Sequence, residues 1–355
     1  MAFDEAQTQA GLRRHPFEFR GTGSEYFGIW IVNLLLTIIT LGIYGAWAKV
    51  RTWRYFYANT YVGEHALDYH ASPVRILIGR LIAIGILIAY SVSVQFSRYA
   101  GFFWGPFFLV AFPWLINSAL RFNARNTSYR NVRLNFRGTY WSAIKAYILW
   151  PIAAALSLFT LYPLARRARD YFYVNNHTFG GRPFHTEFSG LRVYGVYLIA
   201  LAIMILPLAY LAYSFMPALQ AMQQAAHAGA KPVLPQPNPL PVILYVIAFI
   251  YASTLVQAMV FNLSIGNMRL DGHHQFESKI RALPLLWIGL SNLLLLVVTL
   301  GLFYPWALVR MRRYMTSRLA LLAASDLDEF TSEVVATQGA IGEEIAAFFD
   351  INIGL

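Results

Sequence analysis

Six arginines set beside aromatic rings are the residues best suited to chemistry in this sequence. Arg51 and Arg54 flank Trp53 and precede Tyr55, Arg166 and Arg167 precede Tyr171, and Arg310 and Arg313 precede Tyr314. Guanidinium groups hold phosphate through paired hydrogen bonds, and Trp and Tyr rings settle at the membrane–water interface. Each cluster is therefore a candidate site for an anionic headgroup or phosphate. Plain anchoring of the chain at the interface accounts for the same pattern, and both readings stay open.

A second group is polar and lies deep in apolar sequence: Asn33, Asn262 and Asn292, together with Asn117, Gln257 and Ser291. Asn33, Asn262 and Asn292 are candidates for lining a pathway through a membrane. Interhelical bonding, or bonding to freed backbone, explains them as well. No Asp, Glu, His, Lys or Arg lies deep in an apolar segment, Arg80 and Lys145 being near the ends. Proton-coupled pumps and ion carriers need such a charge as their handle, so that class is disfavoured.

No catalytic residue emerges. A nucleophile elbow, a phosphate-binding glycine loop and a paired-carboxylate constellation are all missing, and without cysteine there is neither a thiolate nor a disulfide. The histidines, including adjacent His273 and His274, follow no ligand spacing. The expectation is no metal and no other cofactor, with enzyme activity left open as the weaker class.

The elements that position these residues are mostly apolar. Hydrophobic residues make up 57% of the 355 and charged residues only 13%, which points to an integral membrane protein. The net charge of +11 comes from Arg and Lys beside apolar runs, where they face the cytoplasm and anionic lipid, and no separate basic domain remains to hold nucleic acid.

The arginine clusters belong to a recurring signature. Thr40-Leu41-Gly42 leads through Trp47 to Arg51, Arg54 and Tyr55, and Thr299-Leu300-Gly301 leads through Trp306 to Arg310, Arg313 and Tyr314. His15, Phe17, Glu18, Asn33, Thr40, Gly42, Trp47, Ala48, Val50, Arg51, Arg54 and Tyr55 each recur 259 positions later without a gap. A blurred middle copy begins at Thr160 and runs to Tyr171. This pattern reads as three repeats, the last one partial. The domains expected are a polar arm (1–16), repeat 1 (17–133), repeat 2 (134–273) with an extended Pro- and Ala-rich linker (217–241), partial repeat 3 (274–320) and an acidic tail (321–355). Phe17–Arg20, Leu67–His70 and Leu134–Arg137 alternate apolar and polar residues like short strands beside the membrane.

Charge counting bears on topology. If seven apolar segments all cross, the 28 basic residues divide 16 against 12; if the first segment of each repeat dips in and returns, they divide 26 against 2. The second division follows the positive-inside tendency, so four crossings at about 76–95, 102–120, 193–215 and 242–263 are favoured over seven. The dips would turn near Asn33, Pro151 and Ser291-Asn292. Residues 326–355 hold seven acids and no Lys or Arg. A weakly amphipathic helix at about 340–349 would lie against the basic face, or the tail is simply solvated.

Phe19-Arg20-Gly21-Thr22, the Thr40-to-Tyr55 signature and Tyr55-Phe56-Tyr57-Ala58-Asn59-Thr60 resemble the YjgN family of bacterial inner-membrane proteins, a domain of unknown function. The resemblance covers about 15–320. The middle copy departs from it, having no match to Gly42 or Trp47. The resemblance implies an inner-membrane location and carries no activity with it.

The reading is thus an all-α polytopic membrane protein built from internal repeats, with room for short membrane-proximal strands and with both termini cytoplasmic. Its expected partner is the bilayer, anionic lipid in particular, with a protein partner at the cytoplasmic face also open. Two functions stand: a transporter or channel for a lipid or anionic amphiphile, or a membrane scaffold that binds a partner through its basic face and acidic tail.

Overall fold

The glycine signature is a turn between two helices. In the computed structural model, which describes residues 11–229, 231, 236 and 238–336, helix α1 (Gly23–Ile39) runs outward and α2 (Gly45–Ala58) runs back. Thr22 and Glu25 form a capping box at the start of α1, satisfying backbone donors that a helix start otherwise leaves bare. At the tip, the Thr40 hydroxyl donates to Leu36 O (2.7 Å) and accepts from Tyr44 N–H (2.9 Å). Leu41 and Gly42 then take left-handed φ of 49° and 92°. Thr299, Leu300 and Gly301 build the same tip between α11 (Ala282–Val298) and α12 (Tyr304–Thr316).

The middle hairpin reaches this geometry from different residues. It comprises α5 (Tyr140–Ile144), a π-helical turn (Lys145–Leu149), α6 (Trp150–Leu156) and α7 (Tyr162–Asn175). Its tip is capped by Ser157, whose hydroxyl accepts from Leu161 N–H at 3.1 Å, three residues before the Thr160 at which the blurred copy begins. Leu158 and Phe159 stand at φ 50° and 65° where the other tips end in glycine. A side chain in that region costs about 1–2 kcal/mol, so Phe159 holds a strained backbone that Gly42 and Gly301 avoid.

The dips therefore do not turn at Asn33, Pro151 or Ser291-Asn292. Both Asn33 and Asn292 sit inside unbroken helices because their amides bond to the opposite limb rather than to their own backbone. The arginine signature is the returning limb.

Longer helices alternate with these hairpins. α3 (Pro73–Phe96) and α4 (Ala100–Arg125) meet in a tight bend, while α8 (Gly190–Ser214), α9 (Met216–Ala228) and α10 (Leu240–Gly266) form the second excursion. Four helices are long and apolar enough to cross a membrane by length and composition: Pro73–Phe96, Ala100–Arg125, Gly190–Ala228 and Leu240–Gly266. The linker expected to be extended from 217 is helical through Ala228, since its alanines favour helix up to the left-handed Gly229.

The all-α expectation is overturned by a closed antiparallel barrel of ten strands. These are β1 (Arg13–Phe19), β2 (Thr60–Val62), β3 (His65–Tyr69), β4 (Thr127–Tyr129), β5 (Val132–Phe136), β6 (His177–Phe179), β7 (Arg182–Thr186), β8 (Met268–Leu270), β9 (His274–Ser278) and β10 (Leu319–Ala323). They are ordered in the ring as in the chain, and β1 closes it on β10 through Arg13↔Ala323 to Pro16↔Ala320. The three strands legible in the sequence become β1, β3 and β5, and none pairs with another of the three. Each is bridged by strands of three to five residues, such as β2, β4, β6 and β10, too short to show a period.

Every helical excursion starts and ends at the barrel. Around the ring α1 packs on α2, α2 on α3, α3 on α4, α4 on α5, α6 on α7, α7 on α8, α8 on α10, α10 on α11, α11 on α12 and α12 back on α1. Aromatic clusters join the two layers, among them Phe19, Tyr26 and Phe56 where β1 meets the first hairpin. The last helix among the described residues, α13 (327–336), covers the other mouth of the barrel.

Candidate functional site

Asn33 and Asn292 tie their hairpins together. Asn292 Nδ2 donates to Ala307 O at 3.1 Å, and its Oδ1 accepts from Arg310 Nη1 at 2.8 Å, while Arg310 Nη2 reaches Ser291 Oγ at 3.1 Å. Asn33 Nδ2 likewise donates to Ala48 O at 3.4 Å, but its buried Oδ1 has no partner among the described residues, and Arg51 lies exposed on α2. Asn262 does different work. Its amide donates to Ile280 O (2.7 Å) and accepts from Ile280 N–H (3.0 Å) and Ser278 Oγ (2.7 Å), fastening α10 to the entry of α11. The three asparagines are not brought together.

The arginines divide as well. Arg167 donates to Phe188 O and the Tyr171 hydroxyl (both 2.8 Å), Arg313 donates to Gly21 O (3.0 Å), and Arg54 is exposed beside Arg51. Arg166 alone among them lines a large cavity. It pairs with Asp170 at 3.3 Å along α7, nine residues before the helix ends, which at 1.5 Å per residue sets it about 14 Å into the helical layer. In sequence this segment looks interfacial, because only the fold makes α7 a returning limb. The i,i+4 placement of Asp170 among three arginines was the available signal.

That cavity is a cleft of about 1040 Å³ bounded by α7, α8, α10, α11 and α12. Its walls are mainly carbon, with Phe249, Ile250, Leu286 and Leu290 among them. Ser253 and Thr254 on α10 turn their hydroxyls to Ile250 O, and Gln257 is exposed on the cleft. Tyr162 and Tyr197 stand edge-to-face beside Arg166, their rings 5.9 Å apart. The cleft thus combines an apolar body, one guanidinium and an amide.

A second cavity of about 380 Å³ lies inside the barrel. Alternating strand residues point into it, including Phe17, Leu67, Leu134, Phe179, Phe184 and Phe276. The ends of α2, α4, α7 and α10 floor it through Tyr57, Asn123, Tyr173 and Ile265, and α13 roofs it through Leu327, Phe330 and Thr331.

α13 is held there by both apolar and ionic contacts. Phe330 stacks on Phe179 (6.2 Å between centroids) and lies 4.3 Å from the His274 ring, and Val334 is fully buried. Around the rim Arg13 pairs with Asp326 (3.0 Å), Arg130 with Asp328, and Arg182 with Glu333 (2.7 Å). The acidic tail therefore rests on a basic face, through 327–336; the helix expected at 340–349 lies outside the described residues.

This docking is expected to weaken in acid in two steps. Burial holds the His274 imidazole below its ordinary 6.5, so the undocked form binds a proton first and stability falls as pH drops below about 6.5. Asp326 is held below its ordinary 3.8, chiefly by the backbone N–H of Asp328 and then by Arg13, so its contribution is present above that value and lost as pH falls through the lower, docked one. Hydrogen exchange of 324–336, corrected for intrinsic rate, checks this. Protection should drop between about pH 7 and 5 and again below about pH 4. Constant protection across that range would refute the assignment.

The chain is matched from residue 14 to 348 by the family model described as "Bacterial protein of unknown function (DUF898)". It is similar to inner membrane protein YjgN of Salmonella typhimurium, with 24% identity over 365 aligned positions covering 90% of this chain and 91% of the relative. It is also similar to inner membrane protein YjgN of Escherichia coli O157:H7, with 33% identity over 153 positions covering 42% of this chain and 37% of the relative. No solved structure matches the chain. With four helices able to span a bilayer, these similarities make it a membrane protein.

Proposed function

Because the chain belongs to the DUF898 family of bacterial proteins, whose model spans residues 14–348, we propose that it is a multi-pass inner-membrane protein that admits an anionic amphiphile to the cleft beside α7 and passes it across or along the bilayer. The observation that carries this reading is the cleft itself. An acyl chain suits walls such as Phe249, Ile250 and Leu290, and an anionic headgroup suits Arg166, whose charge is only partly answered by Asp170.

Four crossings, with the barrel and the described ends of the chain on the cytoplasmic side, fit this reading. The strands are three to seven residues long, short of the roughly 9–11 that span a bilayer, and Arg133, Arg182, Arg269 and Glu277 lie on them. Seven strict crossings would put β5 and β6 on opposite faces, yet they pair through Leu134↔Phe179. A cytoplasmic barrel agrees with the positive-inside tendency. The shared tip geometry of the three short hairpins supports reading the chain as repeated units.

The scaffold alternative loses part of its basis, since Asp326, Asp328 and Glu333 are engaged by the protein's own arginines.

The test uses purified full-length protein with phosphatidylglycerol and phosphatidylcholine. Native mass spectrometry should show phosphatidylglycerol adducts in preference. Leu290→Trp, which fills the cleft without touching the ion pair, should remove them, and proteoliposomes should lose fluorescent phosphatidylglycerol exchange in parallel. Adducts unchanged by Leu290→Trp would sink the site; exchange no faster than in empty liposomes would sink the transport reading.

A further inference from the structure

We propose that the chamber inside the barrel is a second binding site, independent of the cleft, for an uncharged apolar molecule, with α13 as its lid. Eight strands make a barrel about as wide as side chains can fill, or as wide as one small ligand requires. This ring has ten, and its strands point Phe17, Leu67, Leu134, Phe179, Phe184 and Phe276 at an interior space that they line but do not fill. A void of about 380 Å³ remains, within the usual range of ligand pockets. Unfilled apolar volume destabilises a fold in proportion to its size, so an occupant that fills it is favoured.

The lining sets the class of that occupant. No Asp, Glu, Lys or Arg is among the chamber-lining residues, in contrast to the cleft with its Arg166. The polar side chains present mostly turn to backbone. Thr127 Oγ1 donates to Asn123 O (3.0 Å), Thr331 Oγ1 to Leu327 O (2.7 Å), His177 Nδ1 is 2.5 Å from Tyr173 O, and His274 Nδ1 accepts from Ala324 N–H (3.3 Å). What faces the space is carbon and aromatic ring. An anion entering it would leave water without a compensating charge, whereas a hydrocarbon chain or ring would not.

Access follows from how each end is closed. The floor is built from helix ends joined to the strands by the chain. The roof is α13, attached at one side through β10 and held by Phe330, Val334 and the rim pairs Arg130–Asp328 and Arg182–Glu333. Release of those contacts opens the barrel to the aqueous face without breaking any strand pairing.

The test is photolabelling of the full-length protein in lipid nanodiscs with a neutral, diazirine-bearing fatty alcohol, followed by mapping of adducts to peptides. The expected result is label on barrel residues such as Leu134, Phe179 and Phe276. That label should be lost with excess dodecanol and lost in Leu134→Trp, which fills the chamber. Dodecanoate, its charged counterpart, should compete poorly. Label confined to the lipid-facing sides of α3, α4, α8 and α10 would overturn the proposal. So would barrel label that dodecanol does not displace, a result read on the wild-type protein and independent of whether Leu134→Trp folds. Equal competition by dodecanoate would overturn the assignment to an uncharged ligand.

Discussion

Asn262→Leu is expected to destabilise the protein by roughly 3–5 kcal/mol, among the largest effects of any single polar substitution here. The side chain satisfies both backbone groups of Ile280 and the Ser278 hydroxyl at once. Leu has nearly the same volume, so packing changes little, and the loss comes from three polar groups left without their partner. Each unsatisfied group costs about 1–3 kcal/mol where water does not reach it. The consequence extends beyond the local bonds, because Ile280 leads directly from β9 into α11, whose Leu286 and Leu290 wall the cleft. Asn117→Leu supplies the comparison. Asn117 Nδ2 makes one bond, to Thr139 O at 3.0 Å, while its buried Oδ1 already lacks a partner among the described residues. Its replacement should cost roughly 1 kcal/mol, since one bond is lost and one unpaired acceptor is removed. Thermal unfolding of both variants in the same detergent separates the cases. Equal shifts in Tm would mean that the hydrogen bonds of Asn262 do not hold the α10–α11 junction.

Val334→Asp is expected to release α13 from the barrel altogether. Val334 is fully buried, and it sits so close to Gly180 that a Cβ at that glycine would overlap it. A carboxylate there would be buried beside Val132 and Gly180, and removing a charge from water without a partner costs far more than a single helix of this length gains by docking. The helix therefore detaches rather than carrying the charge inside. Gly180→Ala reaches the same end from the barrel side, with the added penalty of a side chain at φ +56°. Limited proteolysis reads both: residues 327–336 should be cut first, while the strands remain protected. Glu333→Gln, which weakens one rim contact and leaves the apolar ones, should produce only a small increase, because partly exposed ion pairs contribute about 0–1 kcal/mol. If Glu333→Gln released the helix as fully as Val334→Asp, docking would be electrostatic rather than apolar.

These two sites differ in how far the sequence exposed them. Asn262 stood out as a polar residue in an apolar run, and only its bonding to Ile280 came from the fold. The docking of α13 had a partial signal in the opposite charges of tail and body. The residues that fasten it, Phe330 and Val334, lie in a segment whose apolar spacing is too brief to separate docking from solvation.

The membrane class and the long helices were legible in the sequence, because length and hydropathy are summed over some 20 neighbouring residues and are local quantities. The hairpin tips were not: hydropathy runs unbroken through each dip, and the turns fall at Thr40, Ser157 and Thr299 rather than at Asn33, Pro151 and Ser291-Asn292. The barrel, the depth of Arg166 and the lid arise from contacts between segments distant in the chain. β1 joins β10 across more than 300 residues, through Arg13↔Ala323, and the five uniformly apolar residues of β10 carry no alternation that could announce such a partner. Arg166 reads as an interfacial cation until α7 is seen to be a returning limb, and α13 reads as solvated until a ten-stranded ring provides an apolar mouth to cover. Contacts distant in the chain are selected by the space the whole fold leaves, and that space is not encoded in any one stretch of it.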